Sequence, residues 1–292
     1  MSDNRNLPQI LVTAAQLAGS DNVKRNVESM AEMSAQAAQA GSDMIVFPEA
    51  VMFDFTQPGD VIAETAREYA DYFEHSLKEI AQRNQIAIVA GMYGKAEGNL
   101  STNTVIVIDA SGAQIARYDK LHNYDAFNFC ESSKHRLVEL QPEFAELSLF
   151  TIKGIRFGVI NCYDLRFPEM ARALIDKGAD MLVVSSGWVA GPLKESQWTT
   201  LLKARALENT CFVVASCQPA PGSAGLSMVV DPLGIPIAAV PECAGLATAL
   251  VSMTRQNQVR EILPCVSQRR YAVVQNHHSP LAVAQRGDAR HE

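Results

Sequence analysis

Apolar residues in this chain fall into short continuous runs that alternate with longer stretches in which apolar residues recur at helical spacing. The short runs predict buried strands, at residues 10–15, 44–47, 86–90, 147–151, 157–160, 181–185, 211–216 and 226–230. The longer stretches predict helices, at residues 22–40, 60–84, 170–177, 195–209 and 256–263. Alternation of this kind is typical of a layered α/β protein.

One pair of strands is predicted to form a hairpin. Residues 104–108 and 114–118 are separated by a short segment that carries the turn residues Asp109 and Gly112. Because a hairpin interrupts the alternation, we expect mixed sheets layered with helices and not a purely parallel sheet. No linker divides the chain, so the sequence predicts a single domain over residues 1–274 and a C-terminal tail over residues 275–292, where periodicity is lost.

Composition and charge narrow the class of protein. Of the 292 residues, 48% are hydrophobic, which is enough to bury a large core. The formal net charge of −7 argues against a nucleic-acid surface. The chain carries no apolar run of membrane-spanning length, and its first residues do not resemble a signal peptide. A cytoplasmic protein that binds neither nucleic acid nor membrane is therefore expected.

The six cysteines give no sign of a metal site. None belongs to a CxxC pair, and no histidine spacing accompanies them in a zinc-type pattern. In a chain without an export signal they are expected to be reduced thiols. The sequence predicts neither a bound metal nor a cofactor.

Cys162 lies at the centre of the segment RFGVINCYDLRFPE. An apolar run ends there, Pro168 then opens a predicted helix, and Gly178 ends it. Cys162 is therefore placed where a buried strand turns into a helix. The helix N-terminus and nearby cations are expected to lower the pKa of a thiol in this position. Taken alone, a buried cysteine more often serves as a small core residue.

Two charged residues occupy the same kind of position as Cys162. Glu49 follows one predicted strand, and Lys120 follows another. If these strands lie side by side, a carboxylate can act as general base for the thiol, and an ammonium can stabilise an oxyanion together with the Tyr163 N–H. Taken singly, Glu49 and Lys120 could each be an ordinary charged residue on the protein surface.

Other polar and aromatic residues near these positions have competing interpretations. His122 could form a catalytic dyad with Cys162, as in a cysteine–histidine protease, but Asp125 is the only evident carboxylate to orient it. We therefore expect His122 to make a supporting hydrogen bond instead. Arg166 is expected to pair with Glu169, with recognition of a substrate carboxylate as the alternative. Trp188, just past a strand, is expected to line a pocket.

Three motifs together resemble the signature motifs of the nitrilase superfamily, the carbon–nitrogen hydrolases. They are FPEA around Glu49, RYDKLHNYD around Lys120 and NCYDLRFPE around Cys162. The resemblance implies an αββα sandwich that pairs into a homodimer, and a Glu–Lys–Cys triad that acts through a thioester without metal or organic cofactor. Glu131 matches a second glutamate that helps to position substrate and lysine in that family.

Further segments resemble the deaminated-glutathione amidase group of that superfamily. They are YDAF (124–127), CESS (130–133), GPLKESQWTTLLKARALENTC (191–211) and LPCVSQRR (263–270). The resemblance implies hydrolysis of an amide bond in a small carboxylate-bearing substrate, such as deaminated glutathione or a related ω-amide. A nitrilase or an N-carbamoyl amino acid hydrolase on the same triad remains open, as does a catalytically silent binding scaffold.

Overall fold

The computed structural model describes residues 7–127 and 129–276. Its strands are β1 (Gln9–Gln16), β2 (Met44–Val46), β3 (Ala87–Lys95), β4 (Ser101–Ile108), β5 (Gln114–Asp119), β6 (Asp125–Ala126), β7 (Phe129–Cys130), β8 (Leu149–Ile152), β9 (Ile155–Asn161), β10 (Met181–Ser186), β11 (Val213–Cys217), β12 (Ser227–Val230), β13 (Pro236–Val240) and β14 (Gly245–Ser252). Its α-helices are α1 (Val23–Gln39), α2 (Gly59–Asn84), α3 (Pro168–Asp176), α4 (Lys194–Asn209) and α5 (Met253–Ile262).

The longer strands form two six-stranded sheets. The first has the order β14-β1-β2-β3-β4-β5, and the second has the order β13-β12-β11-β10-β9-β8. In each sheet three central strands run parallel, β1-β2-β3 in the first and β9-β10-β11 in the second, and the outer pairings are antiparallel. The predicted mixed sheets are confirmed, including the β4–β5 hairpin.

The two sheets pack face to face between layers of helices. In β2, Met44 and Val46 point into a core shared with the second sheet, while Ile45 points to the opposite face and packs with Phe73 and Leu77 of α2. The α3 and α4 helices cover the other face of the second sheet. Because successive strand residues point to opposite faces, a strand buried on both sides is continuously apolar. The predicted αββα sandwich is confirmed.

Several local predictions need adjustment. Asn22, predicted as the first residue of this helix, is the N-cap of α1, and its side chain accepts a hydrogen bond from the Arg25 N–H at 3.0 Å. Pro168 opens α3 as predicted. The segment between β5 and β8, for which no strand or helix was predicted, contains the short β6–β7 hairpin.

Two further predictions concern membrane spans and the C-terminal boundary of the domain. No helix of the described part is long and apolar enough to cross a membrane. The domain boundary at residue 274 stays a prediction, because residues 277–292 of the predicted tail lie outside the described residues.

Candidate active site

Three polar side chains meet where strands of the two sheets end. Glu49 follows β2, Lys120 follows β5 directly, and Cys162 follows β9 directly. All three line one cavity, together with Glu131 and Asn103. The sequence placed these residues at strand ends, and the fold brings them together.

The Glu49 carboxylate is held by hydrogen bonds from several segments. Its Oε1 accepts from the Lys120 ammonium at 2.8 Å, and its Oε2 accepts from the Gly187 N–H at 2.8 Å. Only 6% of Glu49 is exposed. The segment before it passes close to β3, where a Cβ atom at Gly91 would lie 2.5 Å from the Glu49 Cα. Any side chain at residue 91 would therefore displace the carboxylate.

Lys120 lies between two carboxylates. Its Nζ donates to both oxygens of Glu131, at 2.9 and 2.8 Å, in addition to its bond to Glu49. Burial acts to lower the pKa of Lys120, but the charges of Glu131 and Glu49 outweigh burial and hold that pKa well above its usual value. Burial likewise opposes ionisation of Glu131, yet the Lys120 charge lowers the pKa of this carboxyl. The lysine is therefore charged at neutral pH.

Asn103 connects the two carboxylates and was missed by the sequence analysis. Its side-chain amide donates to Oε1 of Glu49 and to Oε1 of Glu131, both at 2.8 Å. Its own carbonyl oxygen accepts from the Asn161 amide at 2.9 Å. The strand β4 begins with four polar residues, and nothing in the local sequence distinguishes Asn103 from the other three.

Cys162 occupies a tight corner of the backbone. Its φ of 51° lies in the left-handed region, which is uncommon for residues other than glycine. The corner is closed by reciprocal capping between Asn161 and Asp164, and a short 3-10 turn follows. Contrary to the prediction, the pKa of the Cys162 thiol is raised well above its usual value by burial and by the Glu49 carboxylate, and Lys120 only partly opposes them. The resting group is therefore a thiol with a base beside it.

His122 is oriented by Asp164 and not by Asp125. Its Nδ1 lies 2.7 Å from the Asp164 Oδ1, while its ring stacks on Phe167 with centroids 3.7 Å apart. Asp164 also accepts from the Tyr118 hydroxyl at 2.7 Å and is fully buried. The predicted supporting role of His122 agrees with this geometry, but the carboxylate partner was wrongly assigned.

Arg166 faces a second cavity that also reaches Cys162. The predicted ion pair with Glu169 is wrong, because Arg166 donates to the Gln197 side chain at 2.7 Å and stacks over Trp188 at 4.6 Å. Trp188 lines this cavity as predicted, and its N–H donates to the Lys194 carbonyl at 3.0 Å. Tyr163 and Lys194 line it as well, and the sequence analysis did not single out Lys194.

Comparison with known proteins identifies the family. A family model described as carbon-nitrogen hydrolase matches residues 11–261. The chain belongs to the carbon–nitrogen hydrolase family. The resemblance read from the three motifs is thereby confirmed, and the protein is a carbon–nitrogen hydrolase.

Curated relatives of this hydrolase extend over almost its whole length. A deaminated glutathione amidase of Escherichia coli O157:H7 is 37% identical over 90% of this chain and 98% of the relative. One of Synechocystis sp. strain PCC 6803 / GT-S is 32% identical over 89% of this chain and 97% of the relative.

Solved structures agree with the fold of the hydrolase. The Caenorhabditis elegans NitFhit protein superposes with a TM-score of 0.81 at 27% identity, over 94% of this chain and 68% of that one. A double mutant of an amidase from Nesterenkonia sp. AN1, in complex with acrylamide, gives a TM-score of 0.77 at 22% identity, over 97% and 98% of the two chains. The second likeness supports the fold alone.

Metal-ligating side chains are not clustered in the described part of this hydrolase. No group of three or more His, Cys, Asp or Glu residues within it is placed to hold a metal ion. The acidic pair at the site is instead bonded to Lys120.

A buried histidine lies behind Glu131 in the same cavity. His135 is 4% exposed, stacks on Tyr93 with centroids 5.1 Å apart, and has its Nδ1 2.8 Å from the Ser101 hydroxyl. Burial lowers the pKa of His135 to about 4. The folded hydrolase therefore holds this ring neutral across most of the pH range.

This lowered pKa predicts a loss of stability in acid. Between pH 6.5 and 4 the unfolded chain binds a proton at His135 that the folded chain does not, so the free energy of unfolding should fall with falling pH by about 3 kcal/mol from this group. Urea unfolding of wild type and His135→Gln from pH 7.5 to 4.5 measures the difference. The exposed His75→Gln variant is the control. Parallel pH profiles for wild type and His135→Gln would contradict the prediction.

Proposed function

We propose that this hydrolase is an amidase that cleaves the C–N bond of a small carboxylate-bearing amide, with deaminated glutathione or a related ω-amide as substrate. The names of its curated relatives support this activity. The observation that carries the proposal is the cavity where the Cys162 thiol, the Glu49 carboxylate and the Lys120 ammonium meet. Nucleophile, base and cation are the groups that acyl transfer from an amide requires.

In the first half of the proposed reaction, the Cys162 sulfur attacks the amide carbonyl while Glu49 accepts the thiol proton. The raised pKa of Cys162 makes such a base necessary, because little thiolate is present at rest. Lys120 and the Tyr163 N–H stabilise the oxyanion of the tetrahedral intermediate. Glu49 then delivers its proton to the departing nitrogen, and a thioester remains on Cys162.

In the second half, water hydrolyses the thioester. Glu49 removes a proton from the water, the carboxylic acid product leaves, and the proton returns to the sulfur. Glu131 acts through Lys120: its bonds to Nζ fix the position and the charge of the ammonium during both halves. Lys120 therefore keeps its charge although it is buried, because two carboxylates flank it.

A substrate panel tests the proposed activity. Purified protein should release ammonia or amine from deaminated glutathione and from glutaramate, the monoamide of glutaric acid. Matched nitriles and N-carbamoyl amino acids should be poor substrates. Turnover of only the nitrile or only the carbamoyl compound would replace the proposal with one of those activities, and absence of turnover on the whole panel would favour a binding scaffold.

The homodimer and the cytoplasmic location predicted from the sequence stay predictions. Sedimentation equilibrium of the purified chain tests the first, and fractionation of the native cells tests the second.

A further inference from the structure

The cavity in front of Arg166 differs in charge from the one that holds Glu49. It reaches the same Cys162 side chain. Its lining residues are Tyr124, Cys162, Tyr163, Arg166, Trp188, Val189 and Lys194. Two of these side chains are cationic and none is a carboxylate. A molecule that reacts at Cys162 and extends into this cavity therefore meets net positive charge.

Lys194 is a buried cation without an anionic partner among the described residues. Only 6% of it is exposed. Its Nζ donates to the Tyr124 hydroxyl at 2.9 Å and lies 3.9 Å from the centre of the Phe127 ring. Burial and the Arg166 charge lower the pKa of Lys194. Lysines are rarely buried without a counter-charge, because desolvation of the ammonium is costly.

Arg166 adds a second cation with free donors. Its guanidinium lies over the Trp188 ring at 4.6 Å and uses one nitrogen to bond Gln197 at 2.7 Å. No carboxylate of the described chain pairs with it within 4.0 Å. Stacking on an aromatic face leaves the edge of the guanidinium available, and that edge matches the geometry of a carboxylate.

We propose that Lys194 and Arg166 bind the free carboxylate of the substrate while its amide carbon lies at Cys162. This inference rests on the proposed amidase function and adds the residues that select the substrate. The ligand class is the monoamide of a short dicarboxylic acid. An uncharged amide of the same length leaves both cations unpaired and is discriminated against. The competing interpretation is that Lys194 only holds Tyr124 and Phe127 in place, which would affect charged and uncharged substrates equally.

Kinetics of a charged and an uncharged amide of equal length separate the two interpretations. In Lys194→Met, the KM for glutaramate should rise about 10- to 100-fold, because a charge-assisted hydrogen bond is lost, while kcat changes less than about threefold. The kinetics of pentanamide should change little. Lys194→Arg should recover much of the affinity for glutaramate. The control is Lys203→Met, on the solvent side of α4.

A binding measurement makes the inference independent of turnover. Calorimetry with glutarate and the Cys162→Ala protein should show binding that Lys194→Met weakens by a similar factor. If no amide is hydrolysed but this difference persists, the proposed function fails and the anion site stands. Equal glutarate affinity with and without Lys194, or equal loss for both amides, overturns the inference. If Lys194→Met does not fold, wild type decides: kcat/KM for glutaramate no higher than for pentanamide also overturns it.

Discussion

Replacing Cys162 by alanine is expected to reduce kcat for amide hydrolysis by about 10⁴-fold or more while leaving the protein folded. The substitution removes the atom that would form the thioester, and loss of a nucleophile costs this much in enzymes that act through an acyl intermediate. Alanine adopts the φ of 51° at this corner no less readily than cysteine does. The capping contacts of Asn161 and Asp164 do not involve the sulfur.

Two measurements check this expectation together. Steady-state ammonia release gives kcat, and mass spectrometry of protein quenched during turnover of an activated ester should detect an acyl adduct on Cys162 of wild type only. The exposed Cys243→Ala variant is the matched control and should behave as wild type. Undiminished turnover in Cys162→Ala, or an adduct on another cysteine, contradicts the proposed mechanism.

Within the two six-stranded sheets, the sequence predicted every strand that is buried on both faces and missed two strands, β13 and β14, that are partly exposed. β2 and β10 read as continuous apolar runs because each packs against a sheet on one side and helices on the other. β13 and β14 lie at the edges of their sheets, and exposed residues interrupt the pattern in both. Apolar residues such as Ile237 and Leu250 occupy exposed positions in these strands, so the sequence shows little apolar–polar alternation there.

The sequence identified most residues of the candidate site but not the side chains that they contact. Glu49, Lys120 and Cys162 each follow a strand, and the three motifs around them together were sufficient to find them. The contacts of Asn103 reach residues 54 and 58 positions away, and no local pattern encodes such pairing. Arg166 was expected to bond within its own turn, but it bonds a residue 31 positions away.

The thiol pKa was predicted in the wrong direction for a physical reason. The sequence shows a helix start and a lysine near Cys162, both of which lower a thiol pKa. It does not show how deeply the sulfur is buried or that a carboxylate lies beside it, and these two effects are the larger ones. The effect of the Glu49 charge on the pKa of Cys162 can therefore be measured.

Replacing Glu49 by glutamine is therefore expected to have two opposite effects. Turnover should fall by about 10³- to 10⁴-fold, because the amide cannot accept the thiol proton. The pKa of Cys162 should fall at the same time, because the negative charge of Glu49 is one of the causes that raise it. The variant would then hold more thiolate than wild type and still be less active.

Alkylation of the thiol by iodoacetamide as a function of pH measures the second effect. The midpoint of the pH profile should be lower in Glu49→Gln than in wild type. The Glu74→Gln variant, whose half-buried carboxylate pairs with Arg117, is the control and should match wild type. Thermal unfolding must accompany the assay, because both carboxylate oxygens accept hydrogen bonds and an amide NH₂ would face a donor, at a cost of about 1–3 kcal/mol. A folded variant with an unchanged midpoint would mean that Glu49 does not act on the sulfur. Retained turnover in Glu49→Gln would exclude Glu49 as the base, whether or not the pKa of the Cys162 thiol changes.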